Sequence, residues 1–264
     1  MAEHDRPIRC AVAGAGGRMG ERLLALAASD PGFEVVAAWV GPDSPRLRQP
    51  LPGAGALRYT RAGDSAARPD VVVDFSVPAG LDPVLDWCLG QGVALVCGTT
   101  GLAPGQHRAL ADAGARIPVL WSANFALGVA VLARAVAQAA RTLPDWQVEI
   151  VEAHHAGKRD APSGTALALG EAVAGARGQT LARQAVFARH GQGESRDPAA
   201  IGFAVLRAGD IVGEHTVILA GPGERLELGH RAADRGIFAR GALHAARWLA
   251  GRTPGAYRFE DTLG

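Results

Sequence analysis

The chain has 264 residues, of which 48% are hydrophobic, and its 27 Lys and Arg nearly balance its 26 Asp and Glu. This length suits one large domain or two modest ones, and the apolar fraction is ample for a packed core. A formal net charge of +1 argues against a nucleic-acid partner, because nucleic-acid-binding proteins usually carry a basic excess. No apolar run reaches the length of a membrane span, so we expect no membrane partner.

The cysteines and the N-terminal segment bear on the compartment. Cys10, Cys88 and Cys97 form no C-x-x-C pair and lie in apolar surroundings, which is typical of reduced, buried thiols. The first residues, "MAEHDRPIRCAVAGAGG", lack the apolar region of a signal peptide. We therefore expect a cytoplasmic protein.

The first half of the chain alternates short apolar runs with helical segments. Strands are predicted at residues 8–14, 33–40, 69–76, 93–101 and 117–125. Helices are predicted at residues 18–30, 77–92 and 102–115, and the Pro- and Gly-rich residues 41–56 are predicted to be a loop. Continuous apolar strands that alternate with helices predict a Rossmann-like, doubly wound parallel sheet in an α/β domain.

The second half has a different pattern. A helix at 126–143, a strand at 146–155 and a helix at 163–176 are followed by strand-like stretches at 184–191, 201–221 and 224–232. Successive strands without helices between them predict an α+β domain with a mixed or antiparallel sheet. We place one domain at residues 1–125 and the other at 126–234, and expect the C-terminal helical region, about 235–264, to rejoin the first.

A glycine-rich loop, "VAGAGGRMG" at residues 12–20, lies between the first predicted strand and the first predicted helix. Glycines here let the backbone approach a pyrophosphate, toward which the N–H groups of the helix start point. Gly14, Gly17 and Gly20 give the spacing G-x-x-G-x-x-G, with Gly16 in addition, instead of the plain G-x-G-x-x-G. The loop favours dinucleotide binding, and the alternative is a tight turn that binds nothing.

Four strand ends of the first domain carry small or polar residues, at 14–19, 74–76, 98–100 and 122–125. Ligands of open parallel sheets bind outside the carboxyl ends of the strands, which share one edge. An extended ligand along this edge explains all four ends better than four ordinary turns do.

The end of the second predicted strand bears on the choice of cofactor. This place usually holds an acid that bonds the ribose 2′-OH of NAD, but here it holds Val40 and Gly41, and the nearest acid is Asp43. Arg46 and Arg48 follow, either to meet a 2′-phosphate or to be solvated. The preference between NADH and NADPH is therefore open.

The densest polar stretch, "EAHHAGKRDAPSGTA" at residues 152–166, follows a strand of the second domain. Adjacent strand residues point to opposite faces, so His154 and His155 are expected to have different roles. Ser163 suits the cap of the following helix, and the N–H groups of Gly164 and Thr165 would form a carboxylate site. With Lys158 in the loop, the stretch predicts a site for a small polyanion that needs proton donation.

This stretch has two other interpretations. A zinc site would need more ligands at binding spacing, so no metal is expected. A capped helix after a solvated loop would need no ligand at all. Four further histidines are dispersed and are interpreted as structural, namely His190, His215, His230 and His244.

Seven segments, in this order along the chain, resemble the family of 4-hydroxy-tetrahydrodipicolinate reductases, also called dihydrodipicolinate reductases. The segments are "VAGAGGRMG", "DFSVPAG", "CGTTG", "SANFALGV", "EAHHAGKRDAPSGTA", "RAGDIVGEHTV" and "FARGALHAARWL". The resemblance covers nearly the whole chain, and the "EAHH" to "DAPSGTA" block is its most specific part. Val40 and Gly41 depart from the family's pattern after the second strand.

The resemblance implies a two-domain reductase of lysine and diaminopimelate biosynthesis, usually a homotetramer. It would use NADH or NADPH to reduce (4S)-4-hydroxy-2,3,4,5-tetrahydrodipicolinate to tetrahydrodipicolinate with loss of water. The N-terminal domain would bind the cofactor, and the C-terminal domain would bind the small dicarboxylate and build the tetramer through its sheet.

The resemblance also implies roles for individual residues. His154 would be the proton donor, Lys158 would assist as an acid, and His155, Gly164 and Thr165 would bind the dicarboxylate. The pyrophosphate would lie on Gly14, Ala15, Gly16, Gly17, Arg18 and Met19. The nicotinamide would lie beside Gly98, Thr99, Thr100, Ser122, Ala123, Asn124 and Phe125. Arg159 and Asp160 receive no role.

Two other functions remain as alternatives. Another two-domain NAD(P) oxidoreductase, of the homoserine or aspartate dehydrogenase type, would share the first half but would not need the "HHAGKRDAPSGTA" block. A non-catalytic NAD(P) sensor would keep the glycine loop but would have no reason to keep His154 together with Lys158.

Overall fold

The computed structural model describes residues 6–64, 67–192 and 195–264. The chain divides into two compact units, one made of Met1–Ala126 with Gly236–Gly264 and the other of Leu127–Arg235. Residues 1–5, 65–66 and 193–194 of the domains expected from the sequence lie outside the described residues. Across the described part of the chain, no helix combines the length and apolar character needed to cross a bilayer.

The first unit contains, within the described residues, a seven-stranded sheet in which all neighbouring strands are parallel. Its strands are β1 (Ile8–Ala13), β2 (Phe33–Trp39), β3 (Tyr59–Thr60), β4 (Val71–Asp74), β5 (Ala94–Cys97), β6 (Pro118–Trp121) and β12 (Gly255–Tyr257). The order across the sheet is β12-β6-β5-β4-β1-β2-β3. The order in which successive strands are added to the sheet therefore reverses between β1 and β4, and a crevice for a ligand opens at such a point.

Helices cover this sheet. They are α1 (Arg18–Ser29), α2 (Pro78–Gln91), α3 (Pro104–Ala113) and α7 (Gly236–Leu249), with a 3-10 helix at Phe259–Leu263. Pro78 begins α2, where its missing N–H costs nothing, and Gly92 ends it in the left-handed region. Val72 and Leu95 are fully buried, as expected for strands with both faces covered.

The second unit contains a five-stranded sheet of order β11-β10-β7-β9-β8. Its strands are β7 (Gln147–His154), β8 (Ala185–Val186), β9 (Ile201–Arg207), β10 (Gly213–Gly221) and β11 (Glu224–Ala232). β10 is antiparallel to β11 and β7, whereas β9 is parallel to β7 and β8. The helices are α4 (Leu127–Thr142), α5 (Gly164–Ala176) and α6 (Leu181–Gln184). The predicted pairing of a doubly wound parallel domain with a mixed-sheet domain is confirmed.

Burial alternates along β7, and this alternation places the polar residues at its end. Val148 and Ile150 are fully buried on the face that packs with α5 and α4. Glu152 and His154 continue the same face because side chains two apart on a strand point the same way. The sheet thus carries a carboxylate and an imidazole into the interior of the unit.

The strand predicted at 184–191 is wrong for most of its length. Leu181–Gln184 forms the short helix α6, and only Ala185–Val186 is a strand. This strand lies at the sheet edge and pairs with Ile201 and Gly202 of β9 alone. An edge strand with two paired residues gives too little sequence pattern to be told from a loop.

Candidate active site

The glycine loop of the first unit is built for close backbone contacts. Gly14 has a φ of +73°, and a Cβ there would lie 2.4 Å from the Phe75 carbonyl oxygen. A Cβ at Gly20 would lie 2.2 Å from the Gly14 carbonyl oxygen. Gly17 is the N-cap of α1 and supplies no side-chain cap. The loop is therefore held tight by contacts that a side chain would break, and the start of α1 has no side-chain cap, an arrangement that favours an anion.

The other residues of the loop differ in accessibility. The N–H of Ala15, which is fully buried, donates to the carbonyl oxygen of Trp39 at 3.0 Å and so ties the loop to β2. Gly17 and Arg18 are exposed, and Gly16 and Met19 are half-buried. The exposed part of the loop is therefore the part that a ligand could contact.

Arg46 lies beside this loop. A Cβ built on Gly16 would come 3.2 Å from the Cδ of Arg46. The Arg46 guanidinium pairs with the carboxylate of Glu21 and lies 3.3 Å from the hydroxyl of Tyr59. The structure thus brings one of the two arginines that follow β2 to the glycine loop.

A buried carboxylate connects the carboxyl ends of β4 and β5. Asp74 is fully buried and accepts hydrogen bonds from the Thr99 hydroxyl at 2.8 Å and from the N–H of Ser76 at 3.0 Å. The indole N–H of Trp121 donates to the carbonyl oxygen of Thr99 at 3.0 Å. A Cβ at Gly98 would lie 2.3 Å from the Phe75 ring. The Gly98 to Thr100 loop is thereby fixed, with Thr100 exposed on it.

The segment after β6 forms a tight turn. The Ser122 hydroxyl donates to the carbonyl oxygen of Asn124 at 2.7 Å, and the side-chain oxygen of Asn124 accepts from the N–H of Ala126 at 2.8 Å. The Phe125 ring is buried between Phe75 and Phe259, at centroid distances of 5.4 and 5.0 Å. Phe125 therefore anchors the turn from inside, and any contact of it with a cofactor would come from its backbone.

In the second unit, a carboxylate and an imidazole form the centre of a buried polar cluster. The Nδ1 atom of His154 lies 2.5 Å from Oε2 of Glu152, whose side chain is fully buried. Arg207 binds both carboxylate oxygens of Glu152, at 2.9 and 2.8 Å, in a two-pronged contact. Burial alone would raise the pKa of Glu152, but hydrogen bonds, led by those from Arg207 and His154, hold that pKa below its ordinary value. The carboxylate is therefore ionised.

The same cluster contains the start of α5. The N–H of Ser163 donates to Oε1 of Glu152 at 3.0 Å, and its hydroxyl accepts from the N–H of Ala166 at 3.2 Å as the helix cap. The ring Nε2 of His215 lies 3.0 Å from the same hydroxyl. Burial, and then the nearby His154, lower the pKa of His215 to about 4, so it is neutral at physiological pH.

The loop between β7 and α5 carries the remaining charges. The Nζ of Lys158 lies 2.9 Å from the Asp160 carboxylate, an ion pair that lowers the pKa of Asp160. The backbone carbonyl of Asp160 accepts from Arg207 at 2.7 Å. Asp160 therefore orders the loop and holds Lys158, whereas Arg159 is exposed.

The three residues expected to bind substrate lie at the edge of this cluster. His155 is half-buried, with its Nε2 3.4 Å from the guanidinium of Arg235. Gly164 and Thr165 begin α5, Gly164 is exposed, and the first turn of the helix carries no acidic residue. A helix start of this kind favours a carboxylate.

The structure thus gathers, within one unit, all five residues expected at the chemical end: His154, His155, Lys158, Gly164 and Thr165. Among residues 6–64, 67–192 and 195–264, no group of three or more His, Cys, Asp or Glu side chains is arranged to hold a metal ion.

Comparison with known families bears on what this pair of sites does. A family model described as "Dihydrodipicolinate reductase, N-terminus" matches residues 8–125, and one described as "Dihydrodipicolinate reductase, C-terminus" matches residues 128–263. The chain belongs to the dihydrodipicolinate reductase family. The family resemblance stated from the sequence motifs is confirmed, and with it the class of NAD(P)H-dependent oxidoreductase of lysine and diaminopimelate biosynthesis.

Individual relatives match this chain over nearly its full length. The 4-hydroxy-tetrahydrodipicolinate reductase of Xanthomonas campestris pv. campestris (strain B100) is 47% identical over 259 residues, covering 97% of this chain and 98% of the relative. The enzyme of the same name from Stenotrophomonas maltophilia (strain K279a) is 47% identical over 270 residues, covering 98% and 99%.

A solved structure shares the fold. Dipicolinate-bound dihydrodipicolinate reductase from Paenisporosarcina sp. TG-14 superposes with a TM-score of 0.78 at 22% identity, covering 97% of this chain and 100% of that one. A probable dehydrogenase from Thermotoga maritima gives a TM-score of 0.62 at 12% identity, covering 97% and 92%.

The sequence did not indicate several residues of the polar cluster in the second unit. Glu152 lies in the quoted motif. The apolar residues at every second position before it, Val148 and Ile150, were the sequence signal that could have indicated that Glu152 is buried. His215 was interpreted as a dispersed structural residue, but it belongs to the cluster. Arg207 and Arg235 reach the cluster from distant parts of the chain, and no local pattern indicated them.

Proposed function

We propose that the chain reduces (4S)-4-hydroxy-2,3,4,5-tetrahydrodipicolinate to tetrahydrodipicolinate with loss of water, and that the cluster of the second unit is its substrate site. The observation that carries the proposal is the position of His154. Its imidazole is bonded to an ionised carboxylate in the same cluster that contains the cap of α5, the helix start suited to a substrate carboxylate.

His154 is the proposed proton donor. The 4-hydroxyl and a proton from the neighbouring ring carbon would first leave as water, which gives a conjugated imine, and a nicotinamide would then supply the hydride that C4 receives. Hydride addition would place negative charge on the conjugated ring, and one proton from His154 would neutralise it, with Lys158 as the second acid. General acid catalysis of this kind contributes roughly 10²–10⁴ in rate. Glu152 stabilises the protonated imidazole because it is an ionised acceptor on Nδ1.

The substrate's carboxylates are proposed to bind at the start of α5 and at the cations around it. The N–H groups of Gly164 and Thr165 face one carboxylate, and His155 and Lys158 add hydrogen bonds. Holding the ring at these points turns binding energy into orientation. The ion pair of Lys158 with Asp160 places the ammonium before substrate arrives.

The cofactor is proposed to lie along the carboxyl edge of the first sheet. The residues present fit a dinucleotide, because Gly14 and Gly20 leave a tight loop that a Cβ would fill. The pyrophosphate would be held by residues 14–19, and the nicotinamide by residues 98–100 and 122–125. Arg46, beside Gly16, is the proposed contact for a 2′-phosphate, so we propose that it decides how well NADPH is accepted beside NADH.

The test is an assay with hydroxy-tetrahydrodipicolinate made in situ from pyruvate and aspartate semialdehyde, with NADH and NADPH in separate reactions. We expect oxidation of at least one dinucleotide that depends on this substrate. Turnover of homoserine or aspartate instead would favour the homoserine or aspartate dehydrogenase type. Dinucleotide binding without turnover of any of these substrates would favour a non-catalytic sensor.

We also propose a homotetramer that works in the cytoplasm. The sheet of the second unit exposes Val205, Leu206 and Leu226, and β11 leaves an unpaired strand edge, features that favour association. Cys10, Cys88 and Cys97 are buried free thiols, which suits a reducing compartment. Sedimentation of the chain and of Leu206→Glu tests the assembly, with a smaller particle expected for the variant.

A further inference from the structure

The carboxylate of Glu152 joins both parts of the proposed chemical end. One oxygen, Oε2, receives Nδ1 of His154 and one Arg207 nitrogen. The other, Oε1, receives the N–H of Ser163 and the second Arg207 nitrogen. Ser163 is the cap of α5, so a single buried side chain contacts the imidazole and the residue that starts the anion-binding helix.

We propose that Glu152, held by Arg207, is a positioning residue that fixes His154 with its Nδ1 protonated and its Nε2 toward the reacting substrate, in register with the start of α5. The inference rests on the proposed function, because it assumes that His154 donates the proton. A carboxylate accepts but does not donate, so the proton between the two residues belongs to Nδ1. The proton for the substrate must then come from Nε2.

The opposite ring nitrogen is placed for this work. A Cβ built on Gly213 would lie 3.0 Å from His154 Nε2, so the absence of a side chain at Gly213 leaves room in front of that nitrogen. In the sheet register, Arg207 on β9 is the partner of His154, and Glu152 is the partner of His215 on β10. The pairing is therefore set by three neighbouring strands, not by a mobile loop.

The charge of Glu152 matters as well as its position, because several ionisable groups surround His154. They are Glu152 on β7, Arg207 on β9, His215 on β10 and Lys158 and Asp160 in the loop before α5, and His230 on β11 faces His215. Glu152 carries a charge opposite to that of a protonated imidazole and contacts Nδ1 directly, whereas the guanidinium of Arg207 carries a like charge. Neutralising Glu152 and neutralising Arg207 should therefore have opposite effects on the proton of His154.

The experiment compares the pH dependence of kcat/KM for the native chain, Glu152→Gln and Arg207→Met. A required acid makes activity fall at high pH. We expect this fall to move to lower pH by about one to three units in Glu152→Gln, the usual effect of losing an adjacent opposite charge, and to move to higher pH in Arg207→Met. A purely structural role would lower the rate of both variants without opposed shifts.

Glu149→Gln is the matched control. Glu149 lies on the same strand and is bound by two arginines, Arg189 and Arg196. It stands three residues from Glu152, so its side chain points to the opposite face of the sheet. We expect its pH profile to match that of the native chain.

The ¹⁵N signals of the His154 ring, assigned by their loss in His154→Gln, separate the two proposals. Loss of the Nδ1-protonated form in Glu152→Gln, together with the shifted activity profile, supports both. The same spectral change with an unmoved activity profile supports the pairing and overturns His154 as proton donor. An unchanged spectrum and an unmoved profile overturn the positioning role. If Glu152→Gln does not fold, the direction of the shift in Arg207→Met decides, and no shift or a downward one overturns the proposal.

Discussion

The Nδ1 atom of His154 lies 2.5 Å from Oε2 of Glu152, and the opposite nitrogen of the same ring lies beside Gly213. One side of the imidazole therefore contacts an ionised, buried acceptor, and the other faces the space beside Gly213, where the proposed substrate would bind. A neutral or charged imidazole in this setting keeps its proton on Nδ1, so the ring can exchange protons only through Nε2.

Replacing His154 by Gln tests the proton donor. The amide of Gln can still donate to Glu152, so the cluster should persist while the acid is lost. We expect kcat to fall at least about 100-fold, the lower range for loss of a general acid, with NADH and NADPH binding near the native values. Steady-state kinetics and dinucleotide titration measure the two effects. His190→Gln, at an exposed position, is the control, and full activity in His154→Gln would remove His154 from the mechanism.

Replacing Lys158 by Ala tests the second acid. Its ammonium pairs with Asp160 at 2.9 Å and its side chain is mostly covered. We expect a loss in kcat of about 100-fold or more, by the same reasoning, with dinucleotide binding unchanged. Arg159→Ala removes a neighbouring, exposed charge and should retain nearly full activity. Equal effects of the two variants would mean that Lys158 acts only through the general charge of the loop.

A methyl group at Gly213 should press on His154, the proposed proton donor. Its Cβ would lie 3.0 Å from His154 Nε2, closer than an ordinary contact, so the ring must shift by a few tenths of an ångström. We expect Gly213→Ala to lower kcat about tenfold, because small misplacements at a reacting centre are costly. Gly229→Ala on the next strand, whose Cβ would make an ordinary contact at 3.4 Å, is the matched control. Equal kcat in the two variants would show that the space before Nε2 is not used.

Much of the fold could be predicted from the sequence because its signals are local. The buried strands β1, β4 and β5 are continuous apolar runs followed by glycine or helix-start residues, and each run indicates its own structure. β3 and β12 were missed because they contain two and three residues and exist only through pairing with β2 and β6. Such strands depend on neighbours that the sequence pattern does not show.

The residues of the candidate active site also divide into those that a local pattern indicates and those that it does not. His154, Lys158 and the start of α5 lie within a dozen residues, so their density alone indicated a site. The partners that hold them come from far along the chain: Arg207 is 55 positions from Glu152, and His215 is 52 from Ser163. Only the pairing of β7 with β9 and β10 brings these side chains together, and no local pattern predicts that pairing.

Arg46 offers a test of cofactor preference. Its guanidinium lies by the glycine loop and is paired with Glu21, so a bound 2′-phosphate would compete with that carboxylate. We expect Arg46→Gln to raise the KM for NADPH about tenfold or more, the usual effect of losing a hydrogen bond between charged groups, and to leave the KM for NADH unchanged. Glu21→Gln should lower the KM for NADPH. If both cofactors respond equally to Arg46→Gln, the residue supports the loop and does not read the phosphate.

His215 should make stability depend on pH in a defined window. Burial, then the nearby His154, lower its pKa from 6.5 to about 4, so between these values the unfolded chain binds a proton that the folded chain does not. Stability must therefore fall as the pH falls through this window, on the order of 2 kcal/mol between about pH 7 and about pH 5. Chemical denaturation at the two pH values measures the loss. His215→Gln, which can still bond Ser163, should lose less on acidification than the native chain, whereas His190→Gln should lose as much. Equal losses in all three would assign the acid sensitivity to other groups.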